Sequence, residues 1–304
     1  MTTGVLLMTY GAPRDDADLP AYLARVRGGR VPDDALVAEM RRRYTRIGGS
    51  PLIRITEAQA AALEVALGPN YRVRAAMRYS EPAIADRAHE LAGAERVVGI
   101  VLSPQWSPTL MRGYADAVRA AVAGPMRIAG AWHREPAFVD ALAAQVRSAW
   151  STLGRPHVLF TAHSLPRRVF DAEPEYVAQL RETGELVAAA AGLAAAEWTW
   201  AYQSAGHTQE EWLRPDLKEL FPDLAAAGHR DVLVAPVQFL ADHLEVLYDL
   251  DVAAAAEAEA AGLRYHRVPM PNCDPAFIGA LAAIARREAA ASEGPPAGST
   301  DTRR

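Results

Sequence analysis

The sequence predicts an α/β fold of two similar doubly wound, Rossmann-like lobes, each with a four-stranded parallel sheet, and a cleft between the lobes. Three observations support this fold class. Short apolar runs alternate along the chain with stretches that favour helices, which is typical of βαβ units. Several runs are apolar on both faces, as in a parallel sheet that helices cover on both sides. The runs also divide into two sets of four with similar order and spacing.

The apolar runs are the predicted strands, and the segments between them supply the predicted helices. The strands are predicted at Gly4–Met8, Tyr71–Met77, Arg96–Leu102, Met126–Trp132, His157–Thr161, Glu197–Tyr202, Asp231–Ala235 and Arg264–Val268. Helices are predicted, among other places, at Asp33–Arg43, Glu57–Leu67, Glu81–Leu91, Pro136–Trp150 and Glu175–Ala191. The start of the first set, Gly4–Pro13, resembles the start of the second, His157–Pro166. Because of this internal similarity we predict two lobes rather than one larger sheet.

The internal repeat also predicts where each lobe begins and ends. We expect the first lobe at residues 1–131 and the second at 132–272. A helix at 273–291 is expected to follow and to pack back on the first lobe. The tail at 292–304 is rich in Gly, Pro, Ser and Thr, a composition that predicts disorder.

Composition argues against several classes of protein. The chain has 304 residues, half of them hydrophobic, and a formal net charge of -5, which gives no support to nucleic-acid binding. Cys273 is the only cysteine, so neither an internal disulfide nor a four-thiolate iron–sulfur site is available. No apolar run reaches the roughly 18–20 residues of a transmembrane helix, and the first residues lack the features of a signal peptide. We therefore expect a cytoplasmic protein without an integral membrane segment.

Chemically active side chains follow two strands of the second set. His163 follows the fifth predicted strand, and the stretch Pro236–Asp251 follows the seventh and opens a predicted helix. Open α/β sheets bind ligands at such strand ends. Structural interpretations stay open, since Asp242 and Glu245 fit a capping box and His163 fits a hydrogen-bonded strand-end residue. Asp249 favours a site instead, because its charge repels Glu245 one helical turn away unless a cation lies nearby.

The first lobe offers a second set of polar residues. Tyr10 is the counterpart of His163 in the internal repeat, and the segments Arg25–Arg30 and Arg41–Tyr44 bring cations to the same lobe. A packed strand-end tyrosine and solvated surface arginines are the structural alternatives. The glycines of Gly48–Pro51 predict a tight turn, but they lack the Gly-Lys-Ser/Thr of a phosphate loop. No strand-to-helix loop carries G-x-G-x-x-G, which disfavours a dinucleotide enzyme.

Several specific short motifs are distributed along nearly the whole chain, from Gly4 to Ala291. They are Tyr10-Gly-Ala-Pro13, Arg43-Tyr44, Gly48-Gly-Ser-Pro-Leu52, His163-Ser-Leu-Pro166, Tyr202-Gln-Ser204, Trp212-Leu-Arg-Pro215, Asp242-His-Leu-Glu-Val-Leu-Tyr-Asp249 and Pro269-Met-Pro-Asn272. In these motifs the sequence resembles the ferrochelatase family, whose members insert ferrous iron into a porphyrin. Tyr10 stands where many protoporphyrin-using members have Met. The sequence is therefore similar to the short, coproporphyrin-using branch of Gram-positive, actinobacterial type.

The resemblance implies a set of site residues. His163 and Glu245 would be the catalytic pair that binds the iron, and Asp249 is a candidate for an outer metal position. The porphyrin-binding residues that it implies are Tyr10, Arg27, Arg43, Tyr44, Ser50 and Tyr114. Because Tyr10 and His163 occupy equivalent positions of the internal repeat, we also expect Tyr10 to face the iron from the side of the macrocycle opposite His163. One departure concerns the outer position, because members often carry an acid one turn beyond Asp249 and this chain has Ala253 there.

The resulting expectation is an enzyme that inserts ferrous iron into coproporphyrin III and gives coproheme in haem biosynthesis. Imidazole and carboxylate suit Fe(II), and His163 could accept one of the pyrrole protons near neutral pH. The alternatives are a protoporphyrin IX ferrochelatase, a cobalt or nickel tetrapyrrole chelatase and, from another class, a non-catalytic tetrapyrrole carrier. Only the carrier has no need of the His163–Glu245 pair.

The expected partners are coproporphyrin III and ferrous iron, both as substrates. No permanently bound cofactor is expected, and the lone Cys273 argues against the [2Fe-2S] cluster that some actinobacterial relatives carry. The chain is expected to be a monomer that binds no nucleic acid.

Overall fold

A computed structural model describes residues 2–206 and 210–291. These residues fall into two compact units: one holds the residues up to Ala137 and those from Asn272 onward, and the other is Phe138–Pro271. Each unit carries a four-stranded parallel sheet with helices, so the predicted α/β class with two such sheets is confirmed. The predicted lobes, 1–131 and 132–272, differ from these units by a few residues at each boundary. The tail at 292–304 lies outside the described residues.

The described residues form eight strands, four in each sheet. The strands are β1 (Thr3–Thr9), β2 (Tyr71–Met77), β3 (Arg96–Val101), β4 (Met126–Ile128), β5 (His157–His163), β6 (Trp198–Gln203), β7 (Asp231–Pro236) and β8 (Arg264–Arg267). The first sheet has the order β2-β1-β3-β4 and the second has the order β6-β5-β7-β8. The two orders are the same, as the internal repeat predicts.

Helices connect the strands and cover the sheets. They are α1 (Leu19–Val26), α2 (Asp34–Arg46), α3 (Leu52–Leu67), α4 (Ile84–His89), α5 (Pro108–Ala121), α6 (Pro136–Thr152), α7 (Arg167–Ala172), α8 (Pro174–Ala191), α9 (Leu217–Ala226), a π-helix (Glu245–Ala254), α10 (Ala255–Ala260) and α11 (Pro275–Ala290), with one 3-10 turn (Ala195–Glu197). In the first unit α3 packs against α11, and α4 packs against α5. Helix α11 also contacts β3 and β4 of the same unit.

The central strands are buried along nearly their whole length because helices cover both faces of each sheet. Val5 to Met8 of β1 have no exposed surface, and neither do Val158 to Phe160 of β5. This explains why the two strands read as continuous apolar runs rather than as alternating patterns. No helix within residues 2–206 and 210–291 is long and apolar enough to cross a membrane.

The fourth strand is shorter than predicted. It ends at Ile128 rather than at Trp132, because the chain there turns over the end of β3. The backbone N–H groups of Trp132 and His133 donate to the Pro104 carbonyl oxygen at 2.8 and 3.0 Å. The Trp132 indole N–H donates to the Val101 carbonyl oxygen at 3.3 Å. The segment after Ile128 is therefore a loop packed on the sheet. It is as apolar as a strand, but it does not continue the strand pairing.

The helix after β7 also differs from the prediction. The stretch after Pro236 stays irregular up to Leu244, and the regular helix begins only at Glu245. It is a π-helix as far as Ala254 and continues as α10. π-helical segments, with i→i+5 hydrogen bonds, are rare and often lie at functional sites.

Candidate active site

The polar end of the second sheet is held together by one glutamine. Strand β5 ends at His163, and the neighbouring strand β7 ends at Pro236. The His163 backbone N–H donates to Gln238 Oε1 at 2.8 Å. The Gln238 amide nitrogen donates to the hydroxyl of the buried Tyr176 at 2.8 Å. The loop after β7 is thereby fixed to the end of β5, which brings the two predicted strand-end segments together.

The His163 ring is oriented by its own backbone. Its Nδ1 lies 2.5 Å from the Ser164 carbonyl oxygen, so in the neutral ring Nδ1 carries the proton and donates it. Its Nε2 lies 3.9 Å from Glu245 Oε2. The neutral imidazole therefore presents its unprotonated nitrogen toward a carboxylate, the arrangement that a metal ligand or a proton acceptor requires.

A second histidine faces the same carboxylate oxygen. His243 Nε2 lies 3.8 Å from Glu245 Oε2, and His243 Nδ1 lies 2.9 Å from the Ala241 carbonyl oxygen. Burial alone would raise the pKa of the Glu245 carboxyl, but its attraction to His163 and His243 lowers that pKa to about 2. Burial would lower the pKa of His243, but Glu245, helped by Asp249, raises it. Glu245 is therefore a carboxylate at neutral pH, between two imidazole rings.

The capping-box alternative for Asp242 and Glu245 is wrong. The π-helix begins at Glu245, and its N-terminal flanking residue is Leu244, so Asp242 does not stand at the N-cap position. Asp242 instead faces Arg267 of β8, with 3.5 Å between carboxylate oxygen and guanidinium nitrogen. Arg267 also binds Asp251 through two bonds of 2.6 and 2.8 Å. Both ends of the segment that carries Glu245 are thus tied to the same arginine.

His243 is the residue of this group that the sequence analysis did not single out. The signal was its position inside the Asp242-His-Leu-Glu245 motif, two residues before the glutamate. Asp249 lies close enough to influence His243 electrostatically. Within residues 2–206 and 210–291, no group of three or more His, Cys, Asp or Glu side chains is arranged to hold a metal ion.

The two predicted tyrosines of the first unit have different surroundings. Tyr10 follows β1 directly and is 43% exposed. The next residue, Gly11, has φ of +96°, and a Cβ there would lie 2.1 Å from Ser80 Oγ, so the turn after Tyr10 requires glycine. Tyr114 on α5 is buried, and burial raises the pKa of its phenol above the usual range. Tyr10 is accessible to a ligand, whereas Tyr114 stays protonated and presents a buried hydroxyl.

Tyr44 and Ser50 line a cavity of about 440 Å³ in the first unit. Three arginines, Arg14, Arg41 and Arg54, also line the cavity, together with the carboxylates Asp15 and Asp16. Arg41 Nε lies 2.6 Å from Asp16 Oδ1. The cavity therefore offers hydroxyl and guanidinium donors of the kind that bind carboxylates, one of them already paired. Arg41 lies in a predicted basic segment, whereas Arg14 and Arg54 are not among the predicted binding residues.

Arg43 and Arg27 are not among the residues that line this cavity. Arg43 Nε lies 2.7 Å from Glu39 Oε1, and Arg42 binds the same carboxylate through two bonds of 2.9 Å. The two guanidinium groups lower the pKa of Glu39 to about 2. Arg27 follows α1 and is exposed, and its carbonyl oxygen accepts a bond from Arg30 Nε at 3.2 Å.

The similarity to known proteins spans nearly the whole chain. The family model described as Ferrochelatase matches residues 2–289. A ferrochelatase of Deinococcus radiodurans is 39% identical over 303 residues, which cover 94% of this chain and 96% of that protein. A coproporphyrin III ferrochelatase of Geobacillus kaustophilus is 37% identical over 301 residues, which cover 93% of this chain and 95% of that protein.

Solved structures share the fold at low sequence identity. CbiX, described as the terminal enzyme of sirohaem biosynthesis in denitrifying bacteria, has a TM-score of 0.60 at 18% identity, and the match covers 96% of this chain and 100% of CbiX. SirB from Bacillus subtilis has a TM-score of 0.55 at 14% identity, and the match covers 95% of this chain and 96% of SirB. The predictions of family and enzyme class are confirmed by the relatives. The chain belongs to the ferrochelatase family.

Proposed function

We propose that this chain inserts ferrous iron into coproporphyrin III, with loss of two pyrrole protons, and so makes coproheme for haem biosynthesis. The observation that carries the proposal is the Glu245 carboxylate oxygen, 3.9 Å from His163 Nε2 and 3.8 Å from His243 Nε2, in a chain of the ferrochelatase family. Relatives named coproporphyrin III ferrochelatase support the choice of porphyrin.

In this proposal His163 and Glu245 bind the incoming iron. Fe(II) accepts both imidazole nitrogen and carboxylate oxygen as ligands. His163 Nε2 and Glu245 Oε2 lie 3.9 Å apart, so both atoms would be able to hold the same ion. Asp249, one turn further along the π-helix, is the proposed outer position from which iron would approach.

The two side chains have different roles toward the pyrrole protons. The attraction of Glu245 to its histidine neighbours lowers the pKa of its carboxyl, so Glu245 acts as a carboxylate rather than as an acid. Its contribution is therefore negative charge for the cation. The unprotonated Nε2 of His163 has a single lone pair, so it would take up one pyrrole proton only after the iron has left it for the porphyrin, and the second proton would go to solvent.

The porphyrin would be bound by hydroxyls and guanidinium groups of the first unit. The proposed contacts are Tyr10, Arg27, Arg43, Tyr44, Ser50 and Tyr114. Coproporphyrin carries four propionates, whereas protoporphyrin carries two propionates and two vinyl groups. Each charge-assisted hydrogen bond contributes roughly 1.5–3 kcal/mol before discounting for solvent. Two extra contacts favour coproporphyrin by about tenfold or more, and vinyl groups would leave the same donors unpaired.

The test is an anaerobic insertion assay with Fe(II), followed by absorbance, on coproporphyrin III and protoporphyrin IX in the same detergent. We expect kcat/KM to be at least about tenfold higher for coproporphyrin. An equal or higher value for protoporphyrin would overturn the substrate assignment. Faster insertion of Co(II) or Ni(II) than of Fe(II) would overturn the metal assignment. No insertion into either porphyrin would overturn the proposal as a whole.

The proposed setting is the cytoplasm, with the chain acting as a monomer that holds no resident cofactor. Support comes from the composition, the single cysteine and the lack of a long apolar run. Size-exclusion chromatography with light scattering checks the monomer, and metal analysis of the purified protein checks the cofactor. A dimer, or iron present in stoichiometric amount before substrate is added, would contradict this part.

A further inference from the structure

Four side chains of the first unit form a packed group, which we call the Arg78 cluster: Tyr10, Arg78, Tyr79 and Tyr114. The guanidinium carbon of Arg78 lies 4.8 Å from the centre of the Tyr79 ring and 5.1 Å from the centre of the Tyr114 ring. The rings of Tyr10 and Tyr79 lie 4.6 Å apart with an interplanar angle of 59°. A cation over an aromatic face and a tilted ring pair are both attractive geometries.

The backbone holds this cluster at the ends of β1 and β2. The Tyr79 N–H donates to the Tyr10 carbonyl oxygen at 3.1 Å, and the Arg78 N–H donates to the Thr9 carbonyl oxygen at 3.0 Å. Arg25 Nε donates to the Tyr79 carbonyl oxygen at 2.6 Å. The backbone at Tyr79 is therefore fixed by hydrogen bonds to the end of β1 and to α1.

Helix α5 is shaped to admit the guanidinium. Arg78 Nη1 donates to the Leu110 carbonyl oxygen at 2.9 Å. A Cβ at Gly113, one turn further along α5, would lie only 2.1 Å from Arg78 Nη2. Real Cβ atoms do not approach so closely, so the guanidinium occupies space that only glycine leaves free. The position of Arg78 thus depends both on β1, which accepts its backbone N–H, and on α5, which accepts its guanidinium.

We propose that Tyr79 and Arg78 are positioning residues for the Tyr10 phenol: Arg78 fixes the Tyr79 ring, and the Tyr79 ring fixes the Tyr10 ring. The inference rests on the proposed function, in which Tyr10 contacts the porphyrin. A half-exposed tyrosine after a strand has several rotamers open to it. Contact with a fixed neighbouring ring selects one of these rotamers. A side chain that is already held in place loses less conformational entropy during the reaction.

The first experiment needs no activity. Crystal structures of Tyr79→Leu and Gly113→Ala are compared with the wild type, with Tyr71→Leu as a control on β2 outside the cluster. We expect the Tyr10 ring to leave its position in Tyr79→Leu. In Gly113→Ala the new methyl should displace Arg78 and then loosen both rings. An unmoved, well-ordered Tyr10 ring in both variants would overturn the inference, whatever reaction the protein catalyses.

The second experiment separates positioning from structural support by a double-mutant cycle. In wild type, Tyr79→Leu should lower kcat for iron insertion about tenfold and change KM little. In a Tyr10→Phe background the same change should have almost no further effect, because the hydroxyl that it positions is gone. Arg78→Met should lower kcat by less than Tyr79→Leu does. Arg78→Lys should keep a higher kcat than Arg78→Met. Thermal midpoints exclude variants that do not fold.

The outcomes distinguish the inference from the function on which it rests. Additive effects of Tyr79→Leu and Tyr10→Phe would overturn the inference and leave the chelatase proposal standing. A wild type that inserts no metal would overturn the proposed function, and the crystal structures would still decide whether Tyr79 fixes Tyr10. Full activity of Tyr10→Phe would remove the role of the phenol and with it the inference.

Discussion

His163 and Glu245 impose opposite requirements on protonation. A metal-binding imidazole must be neutral and a metal-binding carboxylate must be charged. The Ser164 carbonyl oxygen holds the proton of the neutral His163 ring on Nδ1, which leaves Nε2 as a donor atom. Attraction to the protonated forms of His163 and His243 lowers the pKa of Glu245. A neutral imidazole beside a charged carboxylate suits ferrous iron as a substrate.

The first prediction removes each proposed iron ligand in turn. His163→Ala and Glu245→Ala should each lower kcat for iron insertion by about 10²-fold or more, because one ligand alone holds the ion poorly. The dissociation constant for iron-free coproporphyrin, measured by fluorescence, should change little, since its proposed contacts lie in the first unit.

Matched controls are His89→Ala on α4 and Glu259→Ala on α10, both exposed. They should keep wild-type turnover. Normal turnover in both His163→Ala and Glu245→Ala would return these residues to purely structural roles.

The site could be predicted from the sequence where it depends on strand ends, and not where it depends on loops. His163 follows an apolar run, and Glu245 lies in a motif shared with the family, so both could be identified. His243 lies in the irregular segment before the π-helix, where no periodicity indicates which way a side chain points. Arg14 and Arg54 reach the cavity from separate parts of the chain, and spacing alone does not bring them together.

At the scale of elements, α2 shows how a local ion pair can compete for a proposed binding residue. Glu39 binds both Arg42, three residues on, and Arg43, four residues on. Pairs at these spacings stabilise helices modestly. The arrangement also means that Arg43 must share its charge with Glu39 when it binds a propionate.

The pH dependence of this element can be predicted with its sign. Glu39 has a pKa of about 2 in the folded chain and 4.5 as its ordinary value. Its pairs therefore stabilise the fold above about pH 4.5, and this contribution is lost as the pH falls toward 2. Because the side chain is 39% exposed, solvent screens the pairs and the effect is below about 1 kcal/mol.

Glu39→Gln should thus lower the thermal midpoint by about 1–3 °C at pH 7, measured by circular dichroism. The difference from wild type should shrink between pH 4.5 and 2. Glu259→Gln is the control and should track the wild type throughout. A difference for Glu39→Gln that stays constant down to pH 2 would contradict the assignment.

Elements were predictable as far as hydrophobicity decides them. The eight predicted strands form, because burial on both faces leaves continuous apolar runs that pattern reading detects. The loop from Ala129 to His133 is equally apolar, so the end of β4 is set by hydrogen bonds to Pro104 that no local pattern contains. The π-helix escapes prediction for a similar reason, since the spacing of Glu245 and Asp249 fits an α-helix equally well.

For the molecule as a whole, the response of stability to mild acid should depend on a buried histidine at the other end of the second sheet. His157 begins β5, and its Nε2 lies 2.9 Å from Thr199 Oγ1 while its ring lies 4.8 Å from the His229 ring. Burial lowers the pKa of His157 below 6.5, and His229 lowers it further. The unfolded chain therefore takes up this proton first, and stability falls as the pH drops below about 6.5.

His157→Gln removes this titration and should flatten the acid side of the stability curve. We expect its thermal midpoint to fall less than that of wild type between pH 7 and 5.5, whatever its value at pH 8. His89→Gln, an exposed histidine on α4, should leave the slope unchanged. Parallel curves for His157→Gln and wild type would show that other groups govern the acid response.

Arg267 has a consequence for how the second unit opens in the native state. Strand β8 is an edge strand, and its Arg267 binds Asp242 and Asp251 on either side of Glu245. Segments joined in this way tend to unfold locally as one cooperative unit. Amide hydrogens of β8 and of the π-helix should therefore exchange with solvent deuterium at similar opening free energies.

Arg267→Met tests that coupling by hydrogen–deuterium exchange. Exchange should quicken in the π-helix and in β8 together, while β6, at the opposite edge of the same sheet, keeps its protection. Faster exchange in β8 alone would show that the two segments open independently. A coupled response would mean that fraying of one sheet edge sets how long the segment that carries Glu245 stays assembled.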